Sequence, residues 1–155
     1  MENEVHNSPP TCLSDLAPYQ IWLGWKGKKI PFDPKNGRPG SSTDPQTWGI
    51  LDQAIAWSDR NNAQIGIVLG YIESLDHVLA GIDLDTCLSD GQFTFWAQEV
   101  INHFRSYTEI SPSGTGAKAF FFLHPDKFSA ILGLLHRHQS FTFKFGSSLS
   151  GHLQQ

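Results

Sequence analysis

Two stretches decide how this chain is read: Ala80-Gly81-Ile82-Asp83-Leu84-Asp85 and Ser111-Pro112-Ser113-Gly114-Thr115-Gly116-Ala117-Lys118. The first is short, apolar and entered from Val78-Leu79, which predicts a strand. Side chains alternate between the faces of a strand, so Asp83 and Asp85 share one face and Ile82 and Leu84 point the other way, into a core. Carboxylates at i and i+2 lie ~6.6 Å apart along the backbone. They can converge on one Mg²⁺ or on a metal pair ~3.5–4 Å apart. Hard oxygen ligands suit Mg²⁺ or Mn²⁺, ions that also hold substrate phosphates. A bare Asp-x-Asp also occurs as an ordinary solvated strand face, and it is the second stretch that turns the balance toward chemistry.

That second stretch predicts a loop of small residues running into a strand from Ala117 to Leu123. Gly114 and Gly116 permit positive φ and close approach of backbone to a ligand. Successive N–H groups in such a loop can form an anion-binding concavity. Ser111, Ser113 and Thr115 add hydroxyl donors, and Lys118 adds a point charge suited to phosphate. It is not a Walker A loop, which needs four residues between its glycines and then Gly-Lys-Ser/Thr opening a helix. The competing interpretation is a plain hairpin turn.

At 155 residues the chain predicts one domain with enough length to bury a core. Hydrophobic residues make up 39% and charged residues 17%, the composition of a globular protein. The formal net charge of −4 does not announce a nucleic-acid binder. Local charge says more: Lys26, Lys28, Lys29, Lys35 and Arg38 are five of the eleven Lys and Arg, opposed there only by Asp33. With Trp22 and Trp25 beside them they form a candidate DNA-binding patch, against the alternative of a solubilising loop. Cys12 and Cys87 show no Cys-x-x-Cys spacing, which argues against a disulfide scaffold and a structural zinc site. No secretory signal or membrane-spanning run is evident, so a cytoplasmic protein with no membrane partner is expected.

In chain order, residues 1–18 are polar and proline-bearing and predict a mobile lead-in, with one domain over 19–155. Tyr19 to Trp25 and Lys29 to Phe32 predict strands of a β-hairpin, and Asp33-Pro-Lys-Asn-Gly a turn. Asp44-Pro45 marks a helix start, with Trp48, Leu51, Ala54 and Ile55 as its apolar stripe. Gln64 to Gly70 predicts a buried strand, joined to the Asp-x-Asp strand as an antiparallel hairpin with a long turn. Phe93, Trp96, Ala97, Val100, Ile101 and Phe104 fall at amphipathic-helix spacing. Tyr107 to Ile110 predicts the strand entering the Ser/Gly loop. A short helix follows from Asp126 to about His136, and a last strand over Phe141 to Phe145. His136 and His138 lack a third partner at ligand spacing and suit a helix C-terminus instead.

Taken together, these residues resemble the bifunctional DNA primase/polymerase (prim-pol) domain of phage and plasmid replication proteins, in the archaeo-eukaryotic primase superfamily. The resemblance runs from about Trp22 to Phe122. It is carried by Pro31-Phe-Asp-Pro-Lys-Asn-Gly-Arg-Pro, Ser41-Ser-Thr-Asp-Pro-Gln-Thr-Trp-Gly, Ile65-Gly-Ile-Val-Leu-Gly, Gly81-Ile-Asp-Leu-Asp-Thr-Cys and Tyr107-Thr-Glu-Ile-Ser-Pro-Ser-Gly-Thr-Gly, in the family's order. It implies an α+β fold, a mixed, mainly antiparallel sheet with flanking helices around an RNA-recognition-like core. It implies Asp83 and Asp85 as catalytic metal ligands for Mg²⁺ or Mn²⁺, and Ser113 and Gly114 as contacts to nucleotide phosphates. The neighbouring Ser111, Thr115, Gly116 and Lys118 complete the expected phosphate-binding set.

The activity so implied is template-directed nucleotidyl transfer on a DNA template and primer from NTP or dNTP. The expected protein is a monomer, with a C-terminal helicase module in a longer form. Two departures stand out. Many members have His where this chain has Lys118, and the family's third acidic residue on a later strand has no clear counterpart before Gln155. Two Mg²⁺ would carry +4 against −2 from Asp83 and Asp85. Glu109 is therefore a further metal-ligand candidate, and a 155-residue unit truncated at its C-terminus is expected to show little polymerase activity by itself. Alternatives from other classes are a non-catalytic nucleic-acid-binding module of the same fold and a metal-dependent phosphohydrolase.

Overall fold

A computed structural model describes residues 12–28, 30–127 and, as backbone, 141–144. The expected helix beyond Lys127, with its apolar residues and the His136–His138 pair, lies outside these residues, as do Lys29, residues 1–11 and the chain end. The fold is α+β, and every strand register defined within it is antiparallel. The chain, read from sequence as one domain, divides into two compact units: the first takes the described residues 12–70, the second 71–127 with 141–144.

In the first unit, β1 (Trp22–Lys26) is the central strand between β2 (Ile30–Phe32) and β3 (Gln64–Ile67), and α1 (Leu51–Asn61) packs on this sheet. Residues 12–17 belong to the packed structure rather than to a mobile lead-in. Leu16 is fully buried, its carbonyl accepts from Trp22 Nε1 at 3.0 Å, and Ala17 O accepts from Leu51 N at 3.0 Å. The helix expected from Asp44 is interrupted. Asp44 caps only the 3-10 turn Pro45–Thr47, because Gly49 then exchanges two backbone hydrogen bonds with Trp22, at 3.0 and 2.8 Å, and must be extended. Trp48 therefore leaves the helical stripe and Trp57 takes the inward position, 6% exposed, whereas Ile55 is exposed. β3 is not the buried strand expected, since Gln64 and Ile65 are exposed and Gly66 and Ile67 half-buried.

The second unit is built around β5 (His77–Leu84). β4 (Gly70–Ile72) pairs with it across the short 3-10 turn Glu73–Leu75, so the hairpin partner of β5 is β4 rather than β3. A short hairpin of β6 (Leu88–Ser89) and β7 (Gln92–Phe93) turns on Asp90 and Gly91, both at positive φ, as such two-residue turns require. α2 (Phe95–Phe104) begins two residues later than its apolar spacing suggested, because Phe93 is in β7. The sheet is completed by β8 (Thr108–Ile110), β9 (Ala117–Leu123) and β10 (Phe141–Lys144), in the order β10-β5-β9-β8. Val78, Ala80, Ile82 and Leu84 of β5 and Ala117, Ala119, Phe121 and Leu123 of β9 form one continuous buried face. α2 lies against β9 through Phe104 and Phe121, whose ring centroids are 4.8 Å apart.

The first unit owes its sheet–helix contact to a missing side chain. A Cβ on Gly24 of β1 would overlap the six-membered ring of Trp57 on α1. Overpacking of this kind costs about 1–3 kcal/mol. Gly24→Ala is expected to lower the unfolding free energy by that amount, read as a lower urea midpoint at unchanged m-value. An unshifted midpoint would mean that Trp57 does not seat against β1.

Candidate functional site

Register assembles the candidate site. Asp83 of β5 pairs with Lys118 of β9, and Lys118 pairs on its other side with Glu109 of β8. Directly opposed residues of antiparallel strands project from the same face. Asp83, Lys118 and Glu109 thus form one row across three strands. Thr142 holds the register position beside Asp83 on β10. Lys118 Nζ lies 3.2 Å from Asp83 Oδ1, with the side chains 33% and 18% exposed. Both side chains keep some contact with water, so screening tempers the attraction between them.

Asp85 stands one residue beyond β5 and is exposed. Gly116 brings the Ser/Gly loop against it. A Cβ on Gly116 would lie 3.0 Å from Leu84 O, 3.2 Å from Ser111 Oγ and 3.9 Å from Asp85 Cα, so the absence of that atom eases the close seating of the loop on the end of β5. Inside the loop, Ser111 N–H donates to Gly116 O and Gly114 N–H to Ser111 O, both at 2.8 Å, and Gly116 N–H donates to Ser111 Oγ at 3.2 Å. Gly114 takes φ +72 at the tip. The N–H groups of Gly114 and Gly116 are therefore consumed within the loop rather than gathered into the expected concavity. What the loop presents is a chain of hydroxyls, Ser111 to Ser113 at 2.9 Å and Ser113 to Thr115 at 3.0 Å.

Sequence spacing missed the loop's anchor. Thr115 O accepts from both Cys87 N–H, at 2.9 Å, and Leu88 N–H, at 3.1 Å. Burial pushes the Cys87 thiol up, which keeps it neutral at pH 7 and gives it a packing role beside the site. Tyr107 was also overlooked: its hydroxyl donates to Glu109 Oε2 at 3.4 Å.

Asp83 and Asp85 offer hard carboxylate oxygens at the open end of β5, the donor chemistry of Mg²⁺ or Mn²⁺. Such ions take one or two carboxylates and fill the remaining positions with water and substrate phosphate, so two protein ligands fit. Glu109 is not brought to them. It shares their face, but Lys118 stands between, which puts its backbone two strand spacings, ~9.6 Å, from Asp83. Among the described residues no three of His, Cys, Asp and Glu gather as a metal-holding group.

The basic patch lies in the first unit and is smaller than the sequence suggested. Trp22 is 5% exposed with its indole N–H bonded to Leu16 O, which makes it core and not a stacking platform. Trp25 is half-buried, its N–H donating to Ile65 O at 3.0 Å. Lys35 is exposed but committed, its Nζ donating to Gln46 O at 2.7 Å and Trp48 O at 2.6 Å, and 3.7 Å from Asp33. Lys26, Lys28 and Arg38 are exposed. Arg60, which the sequence analysis did not single out, joins Lys26 around one cleft.

No family model matches the chain. A DNA primase-polymerase from Nitratiruptor phage NrS-1 is 40% identical to it over 106 residues, covering 67% of this chain and 14% of the phage protein. That similarity supports a prim-pol domain in this chain. It spans only a small part of the phage relative's length. No helix among the described residues is long and apolar enough to cross a membrane.

The row through Glu109 has a spectroscopic consequence. The Tyr107 phenol is pushed above its ordinary range by burial first and by the Glu109 carboxylate second, since both disfavour phenolate. Glu109→Gln removes the smaller cause, so the Tyr107 ionisation followed by ultraviolet absorbance should move to lower pH yet stay above that of a free tyrosine. An unmoved titration would show that the two side chains do not meet.

Proposed function

We propose that the second unit is the nucleotidyl-transfer site of a DNA primase/polymerase, active on a DNA template and primer with NTP or dNTP. The observation that carries this proposal is the seating of a hydroxyl-rich loop, through Gly116, on the strand end that holds Asp83 and Asp85. Acceptor carboxylates and donor hydroxyls at one edge of a sheet match a ligand that is part cation and part phosphate. The phage relative's name supports the class of activity.

In this proposal Asp83 and Asp85 hold Mg²⁺ or Mn²⁺. When bound, the ion would acidify the attacking 3′-hydroxyl and neutralise charge on the triphosphate. The chain's own residues do the rest. Ser111, Ser113 and Thr115 turn their hydroxyl protons from one another to phosphate oxygens. Lys118 exchanges Asp83 Oδ1 for phosphate, which brings a counter-charge to the transferring group. A triphosphate carries more negative charge than one carboxylate, and the ion pair it displaces is screened by water. Lysine is always a donor at pH 7, so Lys118 positions and neutralises and does not accept a proton.

Two outcomes are expected. Asp83→Asn and Asp85→Asn, which keep side-chain shape, should each abolish Mn²⁺-dependent primer extension while the circular-dichroism spectrum is retained. Full activity in either folded variant would remove the pair from the chemistry. A non-catalytic module would show oligonucleotide binding without extension, and a phosphohydrolase would release pyrophosphate or phosphate without primer. Lys118→Met should produce opposite effects in two binding assays. Nucleotide affinity should fall by about 1.5–3 kcal/mol, one charge-assisted contact. Mn²⁺ affinity without nucleotide, measured by electron paramagnetic resonance, should rise because the ammonium no longer repels the ion at Asp83 Oδ1. If both affinities fall together, Lys118 supports the fold and does not exchange partners.

A further inference from the structure

A cleft of about 490 Å³ opens on the first unit, within the size range of small-ligand sites. Lys26 of β1, Lys35 of the turn after β2 and Arg60 of the last turn of α1 line it, and no carboxylate does. The nearest acid, Asp33, is 4% exposed, and its two oxygens are taken by Lys35 N–H and Asn36 Nδ2, each at 2.9 Å. Asp59 precedes Arg60, but neighbouring residues on a helix do not face each other.

The hydrogen-bond inventory of the cleft is equally one-sided. Lys26 Nζ spends one donor on Asn61 O at 2.9 Å and keeps two. Lys35 is largely committed to carbonyls and contributes its field more than a contact. The indole N–H groups of Trp22, Trp25 and Trp48 all have acceptors. That of Trp57, which lines the cleft, has none among the described residues. The ring of Trp57 stacks on Phe32 at 5.1 Å and 25°, lies against Gly24 on β1 and is 6% exposed. Its faces are thus closed to a nucleobase and only its N–H edge is offered. Surplus positive charge with no opposing carboxylate, and an N–H edge in place of a Trp57 face, favour an oxyanion.

We infer that this cleft binds a phosphodiester of single-stranded nucleic acid, through Arg60, Lys26 and the Trp57 indole N–H. Exposed Lys28 and Arg38 extend the positive charge beyond the cleft, which suits a chain of phosphates better than one free ion. The choice of a strand over free phosphate rests on the proposed function, whereas the oxyanion chemistry does not.

The test is fluorescence anisotropy of a labelled oligothymidylate on the 155-residue protein across a salt series. Arg60→Gln and Lys26→Gln together are expected to weaken binding at least tenfold at low salt. They should also flatten the logarithmic salt slope by about 1.4, because each single-strand phosphate contact contributes about 0.7. Trp57→Phe keeps an aromatic side chain but removes the N–H with part of the indole, and should weaken binding a few-fold. Arg60→Gln is an exposed change that keeps the comparison valid if Trp57→Phe fails to fold. Unchanged affinity and slope in the double variant overturn the inference. A second arm titrates inorganic phosphate at constant ionic strength. If phosphate binding needs Arg60 but oligonucleotide affinity ignores it, the cleft is a free-anion site and the strand assignment falls. Mn²⁺-dependent nucleotide binding, followed in the same proteins, reports the Asp83 site separately. Its absence in the unsubstituted chain, with oligonucleotide binding still dependent on Arg60, would refute the proposed function and leave this inference standing.

Discussion

The antiparallel register between β5 and β9 is the constraint on which the candidate site depends. Side-chain direction alternates at every residue, so a slip of one position would turn Asp83 into the core and Ile82 out of it. Ile82 and Leu84 are fully buried, as are Val78, Leu79 and Ala80 on the same strand. Burying an Ile or Leu side chain contributes about 1.5–3 kcal/mol, and an unpaired carboxylate in its place would cost several more. The hydrophobic face thus fixes the polar one. Once Leu84 is set opposite Ala117, Asp83 must meet Lys118, and Gly116 must arrive at the end of the strand beside Asp85.

That geometry gives the polar face an internal counter-charge. Lys118 sits in the row between Asp83 and Glu109 and makes its 3.2 Å contact with Asp83. Two carboxylates on one strand end repel, and an ammonium between strands relieves part of that repulsion. In the proposed function the same ammonium is a donor to an incoming phosphate. Its water-screened hold on Asp83 is consistent with the proposed exchange. The Ser111–Ser113–Thr115 hydroxyls follow a similar logic, satisfied by one another in the absence of ligand and able to re-aim by rotation.

The parts of the fold that were legible in the sequence are those set by local periodicity. The Asp-x-Asp strand, the strand after the Ser/Gly loop and the amphipathic helix ending at Phe104 lie where alternation and 3.6-residue spacing put them. What could not be read depended on distant partners. Trp48 leaves the helix because Gly49 bonds to Trp22, twenty-seven positions away in the chain by subtraction of their residue numbers. Trp22 looked like a stacking platform until Leu16 supplied its acceptor. The sequence predicts a hairpin of β3 with β5 across a long turn, yet β3 pairs with β1 and β4 intervenes. In the site, the shared face of Asp83 and Lys118 required the register, and Arg60 required α1 to lie over the turn that follows β2.

The central claim is that Asp83 and Asp85 share a metal with a nucleotide whose phosphates draw Lys118 away. The most direct measurement is crystallographic: anomalous scattering from Mn²⁺ in crystals grown with a non-hydrolysable deoxynucleoside triphosphate. The account predicts an anomalous peak bridging the two carboxylates and the nucleotide, with the Lys118 ammonium on a phosphate oxygen. A nucleotide bound with no Mn²⁺ at Asp83 and Asp85, and Lys118 still paired to Asp83, would contradict it.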